Sequence, residues 1–181
     1  MRIIAGQFRG QPLVPVGKGD AGGHLRPTSD RVREALFSMI AARIDLGGAQ
    51  VLDLFAGTGA LGLEALSRGA DHATFVDQGR VAQGLIRGNI TKLGVADRAT
   101  LLTCDARRLP AGAPCDLVFL DPPYGKALGP GALAAAQAQG WIAPDALIVL
   151  EEAQPQRIDG FTELTSRRYG ETMITLLEPK P

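Results

Sequence analysis

Val51-Leu52-Asp53-Leu54-Phe55-Ala56-Gly57-Thr58-Gly59-Ala60 decides the fold, together with the helical stretch that follows it to Gly69 and the apolar run Ala73-Thr74-Phe75-Val76 that ends on Asp77. Strand, glycine loop, helix and second strand make one unit of a parallel sheet, and such a loop reads as a nucleoside-cofactor site. Gly57, Gly59 and Gly62 satisfy G-x-G-x-x-G with an acid about twenty residues further on, which is also the spacing of a dinucleotide fold.

Asp53 argues against a dinucleotide. It stands just ahead of the turn, where a pyrophosphate would meet the helix N-terminus, and a carboxylate there repels phosphates. A ligand that brings positive charge to that place suits it better, as S-adenosylmethionine does with its ammonium and sulfonium.

The 181 residues, 45% apolar and with 23 glycines, fit one α/β domain: residues 1–49 as an N-terminal extension with a helix, residues 50–181 as the core. No apolar run approaches the length of a membrane span, and Arg2, Gln7 and Arg9 interrupt the opening residues where a signal peptide needs an unbroken apolar segment. A cytoplasmic protein with no membrane association is expected. Cys104 and Cys115 lack metal-ligand spacing and read as reduced core thiols, so no metal is expected.

The net charge is zero but unevenly placed. Up to Arg33, the basic residues Arg2, Arg9, Lys18, Arg26, Arg31 and Arg33 face only Asp20 and Asp30. This short basic extension reads either as a phosphate-tracking arm or as a solvated flexible leader. Arg2 to Val16 suggests a short strand or hairpin, and Lys18 to His24 a glycine-rich mobile stretch. From Pro27 a helix is expected, with Thr28, Ser29 and Asp30 as N-cap candidates. Val32, Leu36, Phe37 and Ile40 form its inner face, and Arg31 and Arg33 an outward basic edge.

Downstream, Arg80–Leu93 reads as a helix with Val81, Leu85, Ile86 and Leu93 inward and Gly94 as its stop. Strands are expected over Thr100–Cys104, Asp116–Leu120 and Ala146–Leu150, with a helix over Ala132–Gln139. Leu164–Tyr169 and Thr172–Leu177 flank Gly170-Glu171 as a hairpin whose two-residue loop has glycine first. The whole is a mostly parallel sheet closed by an antiparallel C-terminal hairpin.

Asp53, Asp77 and Asp105 each end a parallel strand, and ligands of open α/β sheets bind outside the carboxyl ends of the strands. Asp77 can accept from both hydroxyls of a ribose. Asp105 can accept from an adenine amine while the Ala106 N–H meets a ring nitrogen, or it can simply form a turn. Asp121-Pro122-Pro123-Tyr124 closes the fourth strand end. Its prolines hold the Pro122 carbonyl as a rigid acceptor beside the Asp121 carboxylate, a pair suited to an exocyclic amine, and Tyr124 offers a face for an unstacked base. A carboxylate can take guanine's neighbouring N1–H and N2 donors together, which tilts the reading toward guanine N2.

Arg2–Gly6 with Gly10, Arg26–Phe37, the Asp53–Gly59 loop, the DPPY tetrapeptide and Tyr169-Gly170 together resemble one family, the bacterial 16S ribosomal RNA guanine-N2 methyltransferases of the small-subunit methyltransferase D type. The resemblance implies a Rossmann-like class I S-adenosylmethionine-dependent methyltransferase with a seven-stranded sheet whose last strand inserts antiparallel. Its donor would be S-adenosylmethionine and its acceptor a guanine N2 amine in 16S ribosomal RNA, within an assembling small subunit. One departure is visible: the second strand ends Asp77-Gln78-Gly79, where relatives carry a second acid at the position of Gly79. Together these readings make Asp121, Pro122 and Tyr124 catalytic. Asp53, Phe55, Gly57, Gly59, Asp77, Asp105 and Ala106 become cofactor contacts, and Arg26, Arg31, Arg33 and Pro123 substrate contacts. The alternatives are amino-methylation of adenine N6 or a protein amide, and an NAD-dependent oxidoreductase.

Overall fold

The computed structural model describes residues 1–17, 25 and 27–181. Its strands are β1 (Gln50–Leu54), β2 (His72–Val76), β3 (Ala99–Leu102), β4 (Cys115–Leu120), β5 (Ile142–Glu152), β6 (Phe161–Tyr169) and β7 (Thr172–Pro179). They form a seven-stranded sheet in the order β3-β2-β1-β4-β5-β7-β6. The helices are α1 (Asp30–Ala41), α2 (Ala60–Ser67), α3 (Arg80–Leu93) and α4 (Leu128–Ala138). The strand order reverses between β1 and β4, and this switch point opens the crevice in which open α/β sheets bind ligands.

β1, β2 and β4 are buried on both faces, which is why their sequences are nearly continuous apolar runs. Alternate residues feed two cores. Val51, Phe75, Phe119 and Val149 pack with α1 and α2, while Leu52, Val118, Ile148 and Leu150 pack with α4. β7 pairs antiparallel with both β5 and β6, so it alone runs against the sheet and β6 becomes the edge. Gly170 at the hairpin tip has φ 63° while Glu171 is not left-handed, the type II′ pattern expected for glycine at the first loop position.

Two helices differ from expectation for local reasons. In α3 the inner face is Ala82, Leu85, Ile86, Asn89 and Leu93, and Val81 is exposed. Helix α4 starts at Leu128 rather than Ala132, because Gly129, Pro130 and Gly131 occupy its first turn, where proline has no hydrogen bond to lose. Among the described residues no helix is long and apolar enough to cross a membrane.

The larger difference is at the N-terminus. Residues 2–13 form a small hairpin with a bridge between Arg2 and Pro12, and this hairpin is docked on α2. The Ile4 and Ala5 N–H groups donate to Glu64 Oε2 and Oε1 at 2.9 and 3.0 Å, and Phe8 N–H to Ser67 Oγ at 3.0 Å. Gly6 makes the approach possible: at φ 84°, an added Cβ would lie 1.9 Å from the Ser67 carbonyl oxygen. Val14 N–H donates to Asn89 Oδ1 at 2.6 Å, and Asn89 Nδ2 donates in turn to the Thr58 carbonyl at 2.9 Å. The extension therefore props the glycine loop from which it is remote in sequence.

Arg33 corrects the expected basic edge. The N-cap is Ser29, whose hydroxyl accepts from Val32 N–H, and this phase turns Arg33 inward with Leu36, Phe37 and Ile40. Its side chain is 0% exposed. It donates to Asp30 Oδ1 at 2.6 Å and to the Arg2 carbonyl at 2.7 Å, and lies 3.6 Å from Glu64 Oε2. A guanidinium so enclosed joins α1, α2 and the N-terminal hairpin, and it is not available to a substrate. The predicted pattern failed because an arginine was assumed to be solvated, whereas buried carboxylates can retain one inside.

Candidate active site

The carboxyl ends of β1, β2, β4 and β5 place acids around the switch-point crevice. At the end of β1, Asp53 is buried and its Oδ2 accepts Gly62 N–H at 3.0 Å. Gly62 is needed there, since a Cβ would meet the Phe75 ring at 2.4 Å and Asp53 Oδ2 at 3.1 Å. Gly57 and Gly59 take the left-handed conformation that the loop requires, and Gly59 opens α2 as its N-cap. Phe55 is also left-handed, at φ 57°, strained for an aromatic residue, and it packs on the α4-side core.

Burial pushes the Asp53 carboxyl up to about 8, with the nearby Asp77 adding to the shift against the Gly62 bond. Such an acid keeps its proton in the folded protein while the unfolded chain loses it, so stability present at low pH is lost as the pH rises from about 4 to about 8. Asp53→Asn keeps an oxygen for Gly62 and has no proton to lose. It should raise the melting point of the protein without cofactor at pH 8, by the equivalent of about 1–3 kcal/mol, and leave it unchanged near pH 4. Melting curves across this range test it, and a difference independent of pH would contradict it.

Asp77 follows β2. Its Oδ2 accepts Gly57 N–H at 3.0 Å and its Oδ1 accepts Gly79 N–H at 2.8 Å, so it tethers the glycine loop to its own turn. Burial raises its carboxyl above the usual range. Each oxygen retains a second acceptor direction for a ligand hydroxyl. Gly79, where the resemblance implies a second acid, is the N-cap of α3 and gives its N–H to Asp77.

Asp105 sits beyond β3 and has a different environment. Both its oxygens are engaged by Arg107: Oδ1 accepts the Arg107 N–H and Nε at 2.9 and 3.1 Å, and Oδ2 accepts Nη2 at 2.7 Å. This side-chain pairing holds the carboxyl below its usual range. The turn-forming alternative is therefore realised, and a ligand amine would have to share the carboxylate with an exposed, solvent-screened guanidinium. The adjoining Ala106 is buried.

The DPPY segment lies on the other side of the switch point. Asp121 N–H points to the Leu54 carbonyl at 3.4 Å, which joins the segment to the end of β1. Pro122 is buried, Pro123 is exposed, and Tyr124 is 36% exposed with its hydroxyl 2.8 Å from Thr172 Oγ1 at the start of β7. Asp121 is raised well above the usual carboxylate range by burial first, then by Glu151, Asp53 and Glu152.

Glu151 and Glu152 escaped the sequence reading. They end β5 directly after the apolar run to Leu150, so the acid-at-strand-end pattern that singled out Asp53, Asp77 and Asp105 would have found them had the strand been followed past Leu150. Leu120 and Leu150 are register partners in β4 and β5, so Asp121 and Glu151 leave adjacent strands side by side. Thr28, expected as a cap, instead donates its hydroxyl to Glu151, 3.1 Å from Oε2 and 3.3 Å from Oε1. Arg31 is exposed on α1, and Arg26 lies outside the described residues.

The sheet order, the glycine loop and the crevice define a class I methyltransferase fold. A family model described as conserved hypothetical protein 95 matches residues 1–178. Ribosomal RNA small subunit methyltransferase D of Escherichia coli (strain K12) is 45% identical over 155 residues, covering 83% of this chain and 74% of that protein. YlbH of Bacillus subtilis (strain 168) is 34% identical over 189 residues, covering 99% and 100%. The solved structure of Escherichia coli yhhF superposes with a TM-score of 0.84 at 36% identity, covering 99% of this chain and 98% of that one. The chain belongs to this family, that of ribosomal RNA small subunit methyltransferase D, and is a methyltransferase.

Proposed function

We propose that the protein methylates the exocyclic N2 amine of a guanine in 16S ribosomal RNA, using S-adenosylmethionine, in the cytoplasm and on an assembling small subunit. The observation that carries this reading is the placement of Asp121 and the rigid Pro122 beside the Asp53–Asp77 crevice, across one switch point. The relatives' names support ribosomal RNA as the substrate class.

The residues fit the cofactor. Asp53 is an inward acid without a cationic side-chain partner among the described residues, and it suits a ligand's positive end. Asp77 offers acceptor capacity to a ribose diol, Gly57 and Gly59 leave the loop free of side chains, and Phe55, Asp105 and Ala106 border the base end. When bound, the cofactor supplies an electrophilic methyl group. The chain then has to hold the amine: the Pro122 carbonyl and Asp121 carboxylate accept its two hydrogens and leave the nitrogen lone pair free to attack. As the new N–C bond would replace the methyl's bond to sulfur, whose electron pair stays with the leaving thioether, one amine proton would pass to Asp121, whose raised pKa makes it a better acceptor. Tyr124 stacks the extruded base, with Pro123 at the exposed lip. Arg31 and Arg26 serve as phosphate contacts; Arg33 leaves that set.

Labelled methyl transfer into small-subunit RNA, naked and assembled, followed by nucleoside analysis, tests the reading. N2-methylguanosine is the expected product. N6-methyladenosine would overturn the base assignment. S-adenosylmethionine and its demethylated product should raise the melting point while NAD and NADP do not, and stabilisation by a nicotinamide cofactor alone would overturn the methyltransferase mechanism.

A further inference from the structure

The position of Glu151 asks for a role that Asp121 alone does not fill. It is a buried carboxylate in the same crevice, lateral to Asp121 by strand register and on the same face of the sheet as Asp53. The Thr28 hydroxyl fixes it from one side. Tyr124, the aromatic platform, lies within electrostatic reach of Asp121, Glu151 and Glu152. Glu152 points to the opposite face, where its Oε1 would be 3.5 Å from a Cβ on Gly129. Of Glu151 and Glu152, Glu151 is therefore the one that shares a face with Asp121 and Asp53, and its hydroxyl partner Thr28 comes from the segment ahead of α1.

We propose that Glu151 is the base-reading residue: its carboxylate accepts the N1–H of guanine while Asp121 and the Pro122 carbonyl hold the N2 amine, and Thr28 is the positioning residue that keeps Glu151 in place. This rests on the guanine N2 reading above. Guanine presents N1–H and N2–H as adjacent donors, so two carboxylates side by side match that edge. Adenine presents a lone pair at N1, which a carboxylate repels. Recognition is thereby divided between two residues, and Asp121 is left with the amine.

The test uses small-subunit RNA assembled from transcripts and a synthetic segment that carries either guanine or 2-aminopurine at the mapped target. 2-Aminopurine keeps the C2 amine but has a lone pair at N1. Wild type should favour guanine. Glu151→Gln, whose amide can donate to N1, should shift the guanine to 2-aminopurine ratio of kcat/KM by roughly tenfold or more toward 2-aminopurine. The intrinsic difference between the two amines cancels in that comparison. Thermal stabilisation by S-adenosylhomocysteine identifies folded variants. If Glu151→Gln does not fold, Thr28→Val carries the test and should narrow the ratio in the same direction. An unchanged ratio in a folded variant, with or without loss of rate, overturns the inference while leaving the function intact. Wild-type methylation of a natural base other than guanine overturns both.

Discussion

Asp121→Ala should lower turnover roughly a hundredfold or more and leave cofactor affinity unchanged, because it removes a positioned proton acceptor without touching Asp53, Asp77 or the glycine loop. Asp121→Asn should fall between alanine and wild type: the amide keeps an oxygen for the amine hydrogen but takes up a proton poorly. The raised carboxyl of Asp121 adds a signature in pH. Its acceptor form is populated only as the pH rises through that raised value, so wild-type kcat should climb with pH on this limb and Asp121→Asn should flatten it. Single-turnover rates across pH, with cofactor affinity measured separately, check this. Equal rates for wild type, Asn and Ala would reduce Asp121 to a structural strand end.

Neutralising Arg33 should cost about 3–5 kcal/mol of stability, the scale for breaking a buried ion pair and stranding its partner charge. Arg33→Met leaves Glu64 buried, with Arg68 Nε at 2.9 Å as its remaining cation. It also removes the pair with Asp30 inside α1 and the link from α1 to the Arg2 carbonyl. Arg31→Ala, one position earlier but exposed, should leave the melting point nearly unchanged. It should instead reduce the salt dependence of RNA binding by about one phosphate contact. Chemical denaturation and salt-titrated RNA binding of the two variants separate the roles. An Arg33 variant of full stability with weakened RNA binding would restore it to the substrate face.

The same pair of arginines shows where sequence reasoning stopped. Helical periodicity marked Leu36, Phe37 and Ile40 correctly, yet an arginine at the matching inward position reads as polar whatever its surroundings. Only the meeting of α1 with Glu64 on α2 makes that position an ion pair. Deleting the basic extension would for the same reason be no clean test of RNA capture, since Glu64, Ser67 and Asn89 would lose partners that the extension supplies.

What the sequence determined by itself is local and periodic. The apolar runs, the glycine loop, the stop at Gly94 and the Gly170-Glu171 turn each express short-range sterics and burial, and they suffice for an α/β sheet with Asp53, Asp77 and DPPY at strand ends. The tertiary structure alone decided which strand ends stand beside one another. Placing β4 next to β1 and β5 next to β4 brings Asp53, Asp121 and Glu151 into one crevice from three distant stretches of chain, while Asp105, beyond the outer β3, is left to Arg107. Sheet register and the docking of the N-terminal hairpin are long-range choices, made by packing complementarity and the pairing of buried charge, and no window of sequence contains both partners.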